Sequence, residues 1–321
     1  MSEVGDWLLQ GPAWVQYRTR VDLLAQPEDR QEVRAARQAM LGDAQVRGLL
    51  TELATWPGPA LKRHNDAGHV LHKLVFVADL GLRAEDPGMG VIVERILGHR
   101  APEGPFQVLM NISPRYGGSG RDEQVWALCD APLILCALAR LGLQNDSRLL
   151  AAADHLAALV RENGWPCAVS PTLGKFRGPG RKDDPCPYAT LVMLQALAQL
   201  PAWRDSATCR MGAEALLGLW QQRKERKPYL FGMGSDFAKI KAPLIWYDVL
   251  HVLDVLTQFA CLRSDARLHE MAGIVRLKAD AEGRFTPESI WTAWKAWEFG
   301  QKREPSRWLT LIARRSLARL E

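Results

Sequence analysis

Asp184, Cys186 and His251 offer an oxygen, a sulfur and a nitrogen, donor types that zinc prefers. Three protein ligands would leave the ion one open position, and an Asp two residues before a Cys can face one ion just ahead of a helix. A second polar group is His64, Asp66, His69 and His72, with His69 and His72 on one helix face. When the shared endings of neighbouring helices are superposed, His69 falls on Asp130. A ring of His69, Asp130, Cys186 and His251 would then converge on one cavity, suited to a metal or to acid–base catalysis. Asp130 and Asp248 are a further pair, of the kind that cleaves glycosides when two carboxyls flank a bond. Each residue also has a structural reading: Asp184 as a helix N-cap, Cys186 as a small buried side chain, His251 as a satisfied core histidine.

The elements that must position these residues are helices. Val91 to His99, Leu149 to Arg161, Ala213 to Gln222 and Arg267 to Lys278 place apolar residues at i, i+3, i+4 and i+7. Between them lie runs that are apolar nearly all round: Ala131 to Leu141, Ala189 to Leu200 and Trp246 to Phe259. A helix apolar on every side is buried on every side, so the alternation predicts an outer and an inner layer. Period-2 runs of β-branched residues are nearly absent. Amphipathic helices end in turns followed by Trp56, Phe106, Trp165, Tyr229 and Phe285, a unit recurring every ~60 residues. Irregular loops, such as Asn111 to Glu123 and Ser170 to Asp184, precede the inner helices. Trp291, Trp294 and Trp297 are read as one helix face in the last hairpin. Cys136, Cys209 and Cys261 are read as buried thiols.

Composition narrows the classes. The chain has 321 residues, with 47% hydrophobic, 24% charged and a net charge of +5. That balance excludes a disordered chain, a collagen and a coiled-coil rod, and gives no electrostatic footprint for nucleic acid. The longest nearly uncharged apolar stretch, Ala131 to Ala139, is far short of the ~20 residues of a membrane span. The N-terminus carries no secretory signal pattern. Six cysteines without such a signal suit a reducing compartment, the cytoplasm. No C-x-x-C, P-loop or dinucleotide fingerprint is present.

The stretch Gly174-Lys175-Phe176-Arg177-Gly178, leading through Arg181 and Lys182 to Asp184-Pro185-Cys186, resembles the β-subunit of protein prenyltransferases, with His251 completing the pattern in Asp248-Val249-Leu250-His251. Terpenoid cyclases of the squalene–hopene type share that family's fold. The resemblance implies zinc at Asp184, Cys186 and His251, activating an acceptor thiol. It implies an isoprenoid diphosphate held by Lys175, Arg177, Arg181 and Lys182, with Trp126, Tyr188 and Trp246 beside the apolar substrate. Gly178 and Arg181 stand where the family has its Arg and Lys, and the acidic D-x-D-D of the cyclases is missing.

The expectation is therefore an all-α chain: an N-terminal arm over residues 1–30, then one α/α toroid over 31–321, built from five to six hairpins. The expected function is a prenyltransferase- or terpenoid-cyclase-like enzyme, with Asp130, Asp248 and His69 as catalytic candidates. The alternative is a non-catalytic toroid that binds an apolar ligand, or a protein partner at its cavity mouth.

Overall fold

The computed structural model describes residues 3–174, 176, 181–225 and 228–321. In chain order the helices are α1 (Glu3–Leu9), α2 (Ala13–Arg18), α3 (Gln31–Gly42), α4 (Ala44–Leu53), α5 (Val70–Leu80), α6 (Met89–Gly98), α7 (Ala131–Leu138), α8 (Ser147–Ala157), α9 (Pro187–Leu197), α10 (Pro201–Arg204), α11 (Ala207–Gln221), α12 (Gly234–Ala238), α13 (Val249–Leu256), α14 (Ala266–Arg276) and α15 (Arg307–Ala318). The chain is all-α apart from one small hairpin, β1 (Val108–Asn111) paired antiparallel with β2 (Asp122–Val125), Val108 opposite Val125. No helix among the described residues is long and apolar enough to cross a membrane.

The packing divides into two compact units. One runs to Leu49 and resumes over Gly234–Glu321; the other is Leu50–Met233. In the second unit α5, α7 and α9 lie side by side, α8 packs on α7, and α11 packs on α9. All eleven residues of α9 are buried, as an inner helix requires. The outer α8 buries Leu149, Ala152, Ala153 and Leu156 and leaves Leu150 and Asp154 outside. Truncating one such core leucine to alanine costs about 2–5 kcal/mol. In the first unit α13 packs on α14 and α15, and α15 on α2.

Local chemistry sets the ends. Pro132 and Pro187 occupy first-turn positions of α7 and α9, where a missing N–H costs nothing. Gly81 ends α5 at φ 91°, and the N–H groups of Gly81 and Leu82 close on the carbonyls of Ala78 and Val77.

In the N-terminal segment α2 buries Trp14, Val15 and Tyr17, and Trp14 meets Trp297 and Trp308 edge-on at 5.3 and 5.4 Å. Three expectations need correction. Trp291, Trp294 and Trp297 share no helix; only the short turn Thr292–Trp294 forms. Trp294 and Trp297 turn into the Trp14 cluster, whereas Trp291 donates to the Pro243 carbonyl and lies under Lys241. The loop from Asn111 to Glu123 carries the ends of both strands, because Val108 and Met110 find a buried face. Cys261 is exposed on the turn after α13, while Cys136 and Cys209 are buried as read.

Candidate functional site

The four inner helices start on His69, Asp130, Cys186 and Asp248, and each of these residues is an N-cap. Three use the side chain as a cap should. His69 Nδ1 accepts from Leu71 N–H, Cys186 Sγ from Ala189 N–H at 3.4 Å, and Asp248 Oδ1 from His251 N–H at 2.9 Å. Asp130 does not cap α7. Its carboxylate takes His64 instead, with Nδ1 at 3.0 and 2.9 Å from the two oxygens. Asp is among the best N-caps available, so its diversion to a histidine gives up helix stability of about 0.5–2 kcal/mol.

Around this pair the second unit assembles a buried cluster. Asp130 is fully buried, while the His64 side chain stays 26% exposed. Cys129, next to Asp130, places its sulfur 3.9 Å from that of Cys186. Burial opposes a charge on His64, but the Asp130 carboxylate and the nearby Cys186 outweigh it and raise the imidazole above its usual range. The Cys186 thiol is pulled down, first by the Cys129 hydrogen bond, then, against the cost of burial, by Ala189 N–H and the His64 charge. Cys129 moves the opposite way, well above the ordinary thiol, because of its hydrogen bond with Cys186 and its burial. The ensemble is a cysteine at a helix start with its pKa lowered, a second thiol 3.9 Å away, and an imidazole with its pKa raised, oriented through Nδ1 by a carboxyl group.

The other expected residues have local roles. His69 donates Nε2–H to the Pro59 carbonyl, which with its cap fixes both ring nitrogens. His72 donates to the His64 carbonyl at 2.9 Å, and burial lowers its pKa to about 4. Tyr188 is buried against the cluster, and desolvation first, then Asp130 and the two cysteines, raise its hydroxyl well above the usual value. Trp126 is buried with its indole N–H on Glu103 at 2.6 Å. Asp184 is half-buried and accepts from Arg181 N–H, while Arg181 and Lys182 are exposed. Lys175 and Arg177 lie outside the described residues.

In the first unit Asp248 is buried, and its Oδ2 has no hydrogen-bond partner among the described residues. Desolvation raises its carboxyl to about 7, against the cap bond and the Lys241 charge. His251, fully buried, donates Nδ1–H to the Trp246 carbonyl, and Trp246 lies 4.8 Å from Tyr247 at a tilt.

Asp184 and Cys186 belong to the second unit and His251 to the first. Each has its own partner within its unit: Arg181 N–H, the Cys129 thiol and the Trp246 carbonyl. Among the described residues no group of three or more His, Cys, Asp or Glu side chains is placed to hold a metal ion. Sequence reasoning missed Cys129 and the part played by His64. The available signal was positional, since Cys129 and Cys186 both stand at the starts of adjacent helices.

No protein-family model matches the chain, and no curated protein matches it. Among solved structures, it is similar to a protein from Actinoplanes at 16% identity, covering 96% of this chain and 90% of that one with a TM-score of 0.44. It is also similar to the apo form of the type II terpene cyclase MstE from Scytonema at 13% identity, covering 96% of this chain and 86% of that one with a TM-score of 0.41.

Proposed function

We propose that this chain is a thiol-dependent transferase of apolar acyl-type substrates, with Cys186 as nucleophile, His64 as proton carrier and Asp130 as the residue that orients His64. The observation that carries the reading is Asp130, which makes no side-chain cap bond and instead holds His64 Nδ1 in the cluster that contains Cys186, whose thiol is pulled down. The thiolate attacks the electrophilic carbon, a C–S bond forms, and the leaving group departs with a proton from His64. His64 then accepts a proton from the incoming acceptor, which takes the group and frees the thiolate. The apolar walls of α5, α7 and α9 suit a hydrocarbon tail, and half-exposed His64 marks the side nearest solvent. Their side-by-side order also supports the inner layer of an α/α toroid. Free thiols at every cysteine suit a reducing compartment such as the cytoplasm.

The test is the pH–rate profile of Cys186 alkylation by iodoacetamide, beside burst kinetics with p-nitrophenyl esters of rising chain length. The expected result is a profile midpoint below that of free cysteine and one acyl group per chain, mapped to Cys186. An ordinary thiol midpoint, unmoved by His64→Ala, would leave a non-catalytic binding scaffold.

The second reading is the zinc-dependent prenyl transfer of the resemblance. It is favoured by one observation: the cysteine it assigns to zinc is the thiol pulled down, and zinc takes thiolates. About one zinc per chain, lost in Cys186→Ala, would establish it, with Asp184 and His251 as the companion ligands to test and Arg181 and Lys182 as diphosphate contacts.

A further inference from the structure

We propose that Cys129 and Cys186 form a redox-active dithiol that a small hydroperoxide closes to a disulfide, withdrawing the nucleophile reversibly. The inference rests on the proposed role of Cys186 as nucleophile and adds a substrate class and a control to that site.

The geometry is specific. The sulfurs sit 3.9 Å apart, at the starts of adjacent helices α7 and α9. A disulfide needs them at about 2.05 Å, so the two side chains must turn toward each other for the bond to form. The pair is also asymmetric in place: Cys186 is the N-cap of α9 and accepts from Ala189 N–H, whereas Cys129 stands just before the N-cap of α7. A dithiol that reacts in order needs such asymmetry, one sulfur to attack and one to resolve. Cys186 is 3% exposed and its neighbour His64 26% on its side chain, so a compact oxidant has the better access.

The steps balance. The Cys186 thiolate attacks the terminal oxygen of the hydroperoxide; the S–O bond forms and the O–O bond breaks. The departing alkoxide or hydroxide takes a proton from His64, giving alcohol or water and a Cys186 sulfenic acid. Cys129 then attacks that sulfur; the S–S bond forms, the S–O bond breaks, and hydroxide leaves as water with the Cys129 proton. Two thiols are oxidised by two electrons and one peroxide is reduced. Reduction by a dithiol restores both.

The experiment is titration of the reduced full-length protein with hydrogen peroxide, followed by thiol counting in denaturant and peptide mapping. Two of the chain's six thiols should disappear, a peptide pair linking Cys129 to Cys186 should appear, and dithiothreitol should restore both. In Cys129→Ser the link should be lost and dimedone should trap a sulfenic acid at Cys186. A sulfenic acid that persists in the wild type, a link from Cys186 to half-buried Cys167, or an unchanged thiol count would overturn the proposal. Iodoacetamide kinetics on the same reduced sample separate the two readings. Fast alkylation of Cys186 without a peroxide-dependent link removes the redox pair alone. Slow alkylation, indifferent to His64→Ala, removes the nucleophile as well.

Discussion

The starts of α9 and α13 bury ionisable N-caps in opposite ways. Cys186 accepts from Ala189 N–H, has the Cys129 sulfur 3.9 Å away, and is lowered further by His64, which is itself held by Asp130. Asp248 receives the His251 N–H cap bond, keeps a buried oxygen without a partner among the described residues, and is helped further by the Lys241 charge and the Leu250 backbone. Burial taxes the anion in both places. At Cys186 the local donors win and the charged form is favoured; at Asp248 desolvation wins and the neutral acid is favoured. A buried group is thus ionised by what surrounds it, and depth alone decides little. The first arrangement lowers the pKa of a thiol and the second raises that of an acid.

The largest expected effects break the cluster in the second unit. Cys186→Ser should abolish acyl transfer. Asp130→Asn keeps the volume but removes the charge that holds His64 cationic, so activity should fall by about 10²–10⁴-fold, the range of a lost acid–base partner. In the same variant the midpoint of Cys186 alkylation should rise and its rate at neutral pH should drop about 10-fold per pK unit. An Asp130→Asn protein with wild-type alkylation kinetics would show that the His64–Asp130 pair is structural only.

Next is Asp248, as a matter of stability. Its folded carboxyl titrates near 7, against 3.8 for the free group. Between those values the folded chain holds a proton that the unfolded chain has released, so stability falls as pH rises through the window. The loss is about 1.4 kcal/mol per pH unit and about 4 kcal/mol by pH 7. Asp248→Asn, which still caps α13, should erase that slope and be the more stable protein at pH 8. Urea melts of both at pH 4.5 and pH 8 measure it; parallel pH profiles would mean that Asp248 is charged in the fold.

His72 runs in the other direction with a smaller amplitude. Its folded pKa is near 4 against 6.5, so the unfolded chain takes up a proton that the fold refuses. Stability is lost as pH falls from about 6.5 to 4, by about 3 kcal/mol in all. His72→Gln keeps a donor for the His64 carbonyl and should flatten acid unfolding over that range.

These contrasts also explain what the sequence could tell. The apolar runs announced α7, α9 and α13, since an inner helix must be apolar on all sides; the N-cap directly precedes the first run at Asp130, stands three residues before the second at Cys186, and lies inside the third at Asp248. The partners were less legible. His64 reaches Asp130 across 66 positions and Cys129 reaches Cys186 across 57, distances that only the side-by-side packing of α5, α7 and α9 removes. Motif spacing drew attention to Asp184 because it precedes Cys186 by two residues. The backbone instead turns Asp184 to Arg181 N–H at the surface and Cys186 inward. The Trp291, Trp294 and Trp297 spacing misled because a short turn, not a helix, carries it: Trp294 and Trp297 are buried in the Trp14 cluster, and Trp291 turns away to the Pro243 carbonyl.

The smallest effect sharpens the comparison most. His69 occupies in α5 the place that Asp130 has in α7 and Cys186 in α9, yet both its ring nitrogens are spent, one on Leu71 N–H and one on the Pro59 carbonyl. A residue so occupied has no nitrogen left to carry a proton to substrate. His69→Ala should therefore cost about 1 kcal/mol through the lost cap and leave the alkylation profile of Cys186 in place. A profile displaced by even half a unit, in a variant that still folds cooperatively, would mean that His69 belongs to the proton network after all. The boundary between scaffold and chemistry would then lie at the N-cap of α5 rather than at Asp130.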